Sequence, residues 1–143
     1  MPTPGHELPV VGPRCALSAC LLALALAGCG TADRENDAAT VAERFHAALE
    51  SDDGQAACDE LSEETTSKLE QQQKKPCEAA ILSLELPKGG SVVDARVYQR
   101  SALAQRAEGG SDFLDKGADG WTVSAAGCEP TAPDQPYECE LED

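Results

Sequence analysis

The sequence predicts an α+β domain, with helices in its first half and antiparallel strands in its second. Apolar residues recur every three or four positions up to Leu84, and beyond Gly90 they recur every second position. Glycine- or proline-bearing turns punctuate the second half at short intervals. Helices followed by hairpin-joined strands pack as a helical layer on a curved antiparallel sheet, here of about four to five strands.

Each element has a local cause. Val41, Phe45, Ala48 and Leu49 make the apolar face of the first helix, and Thr40-Val41-Ala42-Glu43 is a capping-box pattern at its start. Gly54 separates it from a second helix, for which Asp52 or Asp53 supplies the cap and Ala57, Cys58 and Leu61 the apolar face. Ser62 to Gln72 reads as a polar helix with Leu69 alone to bury. Pro76 suits the first position of a further helix, in which Cys77, Ala80, Ile81 and Leu84 form one stripe. Pro87, Gly89 and Gly90 end the helical half.

Val93, Ala95 and Val97 then alternate with Asp94, Arg96 and Tyr98, the pattern of a half-buried strand. A turn at Gln99 to Ser101 leads into Ala102 to Arg106, and Gly109-Gly110 separates that strand from Asp112 to Lys116. Asp119-Gly120 is a favoured hairpin pair, after which Trp121, Val123 and Ala125 alternate with Thr122 and Ser124. In the last strand Tyr137, Cys139 and Leu141 share one face and Glu138, Glu140 and Glu142 the other.

The N-terminus has a different character. Arg14 precedes a twelve-residue apolar run, Ala16 to Ala27, too short for the roughly 20 residues a spanning helix needs but of the right length for an export signal. Leu26-Ala27-Gly28-Cys29 matches the bacterial lipoprotein box, in which the cysteine thiol receives a diacylglyceryl group and the signal is cut just before it. The stretch before Arg14 is long and proline-rich for a signal, and a start at Val10 or Val11 would leave a short, positive segment. The expected organisation is a signal peptide over 1–28, a lipid-anchored flexible tether over 29–39, and an α+β domain over 40–143. The expected location is the outer face of the cytoplasmic membrane, with the bilayer itself a partner through Cys29.

Removing Cys15 and Cys20 with the signal and using Cys29 for lipid leaves Cys58, Cys77, Cys128 and Cys139. An even count in an exported chain points to two disulfides, for which three pairings exist. Cys58 and Cys77 lie on helix faces that meet in one core, while Cys128 and Cys139 flank a proline-bearing loop between two strands. This placement favours Cys58–Cys77 and Cys128–Cys139.

Charge narrows the partners. Twenty-six acidic residues against eleven basic ones give a formal net charge of -15, which repels phosphate backbones and disfavours nucleic acid. The glutamate stripe at Glu138, Glu140 and Glu142 attracts cations and also shields a terminal strand from aggregation, and the shielding reading is the stronger. The spacing of Asp52-Asp53 and of Asp112 and Asp115 matches no calcium loop. No Cys/His zinc pattern, phosphate-cradling glycine loop or Gly-x-Ser-x-Gly elbow occurs, so neither a metal nor a cofactor is expected. Trp121 alternates with Val123 and reads as core.

The stretches "ATVAERFHAALESDDGQAAC", "KPC", "ARVYQR" and "DGWTVSAAGCEP…PYECELED" resemble those of small actinobacterial lipoproteins, over roughly Asp37 to Asp143. The resemblance implies a domain similar to the nuclear-transport-factor-like, or cystatin-like, fold, a cone of helices against a curved antiparallel sheet. That fold serves enzymes and non-catalytic domains alike. His46 is the one weak ligand-site candidate. It edges the first helix's apolar face, and related cones place acid/base residues in their cavity. The plainer reading, a helix-boundary histidine with one nitrogen exposed, outweighs it, and no catalytic residue is assigned. A non-catalytic binding or accessory domain for another exported protein is expected, the alternative being a small-ligand-binding or weakly enzymatic cone that uses His46.

Overall fold

The computed structural model describes residues 29–143. The expected signal peptide, 1–28, lies outside the described residues, as does the start-codon question. Asp33–Asp143 form one compact unit. Among the described residues four helices, α1 (Cys29–Glu50), α2 (Gly54–Asp59), α3 (Glu63–Gln73) and α4 (Cys77–Ile81), precede five strands: β1 (Val92–Tyr98), β2 (Ser101–Arg106), β3 (Ser111–Lys116), β4 (Trp121–Pro130) and β5 (Tyr137–Glu142). The strands form one antiparallel meander in the order β1-β2-β3-β4-β5, so the α+β class is as read from the periodicity. Among the described residues no helix is long and apolar enough to cross a membrane.

Of the expected caps, the one at Asp52 or Asp53 is present at Asp53. Asp53 caps α2 by accepting from the Ala56 N–H at 3.0 Å, and Ser62 caps α3 by accepting from the Thr65 N–H at 3.0 Å. Pro76 stands at the N-cap of α4. Arg44 on α1 grips Glu60 after α2 through two hydrogen bonds of 2.7 and 2.8 Å, and these bonds raise the guanidinium's pKa above its ordinary value. The segment after α2 lies along β4, where the Val123 N–H donates to the Glu60 carbonyl and the Ser62 N–H to the Val123 carbonyl. Leu61 thereby forms a parallel bridge with Val123.

One core joins helices and sheet. Val41, Phe45 and Leu49 of α1, Leu69 of α3 and Ile81 of α4 are buried with Ala102, Ala104, Leu114, Val123 and Leu141 from the sheet. Cys58–Cys77 bridges α2 to α4. Cys128–Cys139 bridges β4 to β5 at positions that are also direct register partners. Both bridges are the pairs favoured by placement.

Three local expectations are corrected. Residues 29–39 are the first half of α1, not a flexible tether, and the compact unit begins at Asp33, not at residue 40. Alanine, arginine and glutamate there are good helix formers, and the fully buried Ala38 ties that turn to the core. Thr40 therefore starts nothing: its hydroxyl donates to the Asn36 carbonyl at 2.8 Å, one turn back inside the helix. In β1 a bulge between Val92 and Asp94 shifts the alternation, so Val92 packs on the core and Val93 is 65% exposed.

Gly54 fixes how closely α2 approaches α4. A Cβ placed there would stand 2.2 Å from the Glu78 carbonyl oxygen, which belongs to backbone and has no side-chain freedom to yield. Gly54→Ala is expected to destabilise the domain by about 1–3 kcal/mol through overpacking, measured by urea unfolding of the disulfide-intact protein.

Candidate functional site

Among the described residues, the one pair of fully buried ionisable partners is formed by His46 and Asp112, each 0% exposed. The apolar period of α1 carries His46 inward beside Phe45, whose ring meets the imidazole edge-on at 5.0 Å. On β3, Asp112 has the same phase as Leu114, and both point into the core. His46 Nε2 lies 2.8 Å from Asp112 Oδ2, and Nδ1 lies 2.7 Å from the Pro87 carbonyl. The His46 carbonyl in turn accepts from the Gly89 N–H. One side chain thus ties α1, the connection between the two halves of the fold, and the sheet.

The hydrogen-bond inventory constrains the protons. A carbonyl only accepts, so Nδ1 carries a hydrogen; a second hydrogen must lie between Nε2 and the carboxylate, on the ring or on the acid. Either way the pair is neutral as a whole, which is how two ionisable groups come to share a dry interior. The expectation of one exposed nitrogen at a helix boundary is corrected, as is that of an acid/base residue lining a cavity. Both nitrogens are engaged and no ring edge reaches solvent, because the 87–89 segment folds across α1 and β3 supplies Asp112 from 66 residues away. The sequence did hold a sign of this partner: a carboxylate in phase with Leu114 faces a core and needs a donor there.

Trp121 is core, as its alternation implied. It is 6% exposed, with Lys116 Nζ 5.2 Å and the Arg34 guanidinium 5.9 Å from its ring centroid. Among the described residues no group of three or more His, Cys, Asp or Glu side chains is placed to share a metal ion.

A second, exposed group of ionisable side chains lies on the β4–β5 hairpin. Glu138, Glu140 and Glu142 are all exposed on the edge strand of the sheet. Glu138 stands directly opposite Glu129 of β4, a like-charged cross-strand pair that works against the hairpin. The adjoining register pair is the Cys128–Cys139 disulfide, which holds the strands together where their charges push apart. On the face alternating with the buried Ala104 and Leu114, Phe113 pairs with Leu103 and meets the Tyr137 ring edge-on at 5.2 Å. A shallow groove of about 300 Å³ opens beside these rings, lined by Val93, Gln105, Gly110, Glu129, Pro130 and Tyr137 among others. The bulge that turns Val93 outward and the Glu129–Glu138 register are both tertiary facts, and neither is marked in the sequence.

No family model, curated protein or solved structure matches the chain.

Removing one partner of the buried pair strands the other without a counterpart. His46→Leu and Asp112→Leu are each expected to cost about 3–5 kcal/mol, measured by chemical unfolding, whereas the double leucine variant recovers most of that loss.

Proposed function

We propose that the protein is an exported lipoprotein, held at the outer face of the cytoplasmic membrane through an acylated Cys29, whose α+β domain serves as a non-catalytic binding or accessory module for another exported protein. The observation that carries this reading is the state of the cysteines. All four beyond Cys29 close into two bridges within one compact unit, the arrangement of a chain matured in an oxidising compartment. The sequence around Cys29 supplies the reason that one further cysteine stands apart from them, since the thiol at a lipoprotein box is consumed as a thioether.

The domain's chemistry favours binding over turnover. Its histidine and the aspartate that orients it are sealed from solvent, so they lend rigidity to the scaffold and have no route to a substrate. Part of its exposed, unpaired charge lies on the β4–β5 hairpin, where Glu129 and Glu138 stand opposite each other. The likeness to small actinobacterial lipoproteins with a nuclear-transport-factor-like domain supports the same reading.

Cys29→Ser separates the anchor from the fold. Expressed in a bacterial host that processes lipoproteins, the native chain is expected in the membrane fraction with the mass of one acylated cysteine and two disulfides. The variant is expected to leave that fraction while keeping both bridges. Membrane retention of an unacylated variant would refute the anchor.

A further inference from the structure

We propose that the groove beside Tyr137, with the acidic hairpin at its rim, docks a cationic extended segment of a partner protein, its basic side chains on the glutamates and an apolar side chain against Tyr137, Pro130 and Val93. This deepens the accessory reading and rests on it: it names the chemistry of the partner.

The groove supplies the apolar part of the argument. Val93 is 65% exposed because the β1 bulge turns it out of the core, and it shares the groove with Pro130 and Tyr137. The Tyr137 ring is braced edge-on by Phe113, so an apolar guest meets a preorganised wall. A tyrosine held by a neighbouring ring, with a shallow recess beside it, is the type of anchor from which interfaces draw most of their affinity.

Charge selects the occupant. Glu129 lines the groove, and Glu138, Glu140 and Glu142 run along the adjoining edge strand. The cation of the same groove, Arg106, is withdrawn: its side chain is 2% exposed and donates to the Gly89 carbonyl. A second copy of this chain would bring its own acidic hairpin to the contact and be repelled, as would any acidic segment. A strand carrying lysine or arginine at alternate positions places its charges opposite the glutamates. It also relieves the Glu129–Glu138 repulsion that the hairpin bears when alone.

The test uses the full-length lipidated protein in neutral detergent and a short synthetic peptide alternating lysine with valine. Controls alternate glutamate with valine or lysine with serine. Binding of the lysine–valine peptide is expected, weakened by added salt and weakened about tenfold or more in the Glu129→Gln/Glu138→Gln variant. Tyr137→Ser is expected to bring the lysine–valine peptide down to the affinity of the lysine–serine one. Both variants alter exposed or half-buried groups, and retained disulfides and urea midpoints are checked beside the binding. Equal binding of the lysine–serine and lysine–valine peptides to the native chain would overturn the groove, as would unchanged affinity in the glutamine variant, absence of binding, or self-association in place of binding. Such a failure leaves the accessory reading standing if Cys29→Ser still releases the protein from the membrane; if membrane retention persists without acylation, the broader reading fails first.

Discussion

The fold turns on a buried contact between one imidazole and one carboxylate. His46 reaches from the N-terminal helix to Asp112 in the middle strand, and its other nitrogen fastens the segment that joins helices to sheet. A small, aliphatic core with five aromatic residues in the whole chain has little other means of fixing one packing of helix on sheet. Apolar contacts are tolerant of sliding; a two-ended hydrogen-bonded ring in a dry interior is not. The pair therefore specifies the arrangement as much as it stabilises it.

The two disulfides work outward from that contact. Cys58–Cys77 closes the short helices over the core, and Cys128–Cys139 clamps the last hairpin where Glu129 and Glu138 oppose each other. In the chain-entropy picture each loop of this size contributes about 3 kcal/mol. That is far more than the fraction of a kcal/mol to about 1 kcal/mol at stake in a cross-strand pair. The hairpin can thus keep a charge arrangement that its own strands would not favour.

Much of this was legible in the residues. The change of period near Gly90, the cap at Asp53, the hairpin at Asp119-Gly120 and both cysteine pairs are local signals, and local physics decided them. What was not legible depended on distant contacts. Thr40 and Glu43 make a valid capping box that a longer helix simply runs through, because Ala38 has a core to bury into. Val93 alternates correctly, yet a one-residue bulge turns it to solvent. The charge of -15 describes the whole chain and does not show that Glu129 and Glu138 stand opposite each other across the last hairpin. His46 shows no partner in its own stretch of sequence, because Asp112 stands 66 residues away and only the folded sheet brings it to the ring.

The central claim is that the ring of His46 is locked between the Pro87 carbonyl and Asp112, out of reach of water. Nuclear magnetic resonance of the imidazole nitrogens in the folded protein tests it most directly. The account requires a hydrogen-bonded Nδ1–H signal that is protected from exchange with solvent and coupled through space to β3. A His46 ring whose nitrogen-bound protons exchange as freely as those of imidazole in water, with no proximity to Asp112, would contradict it.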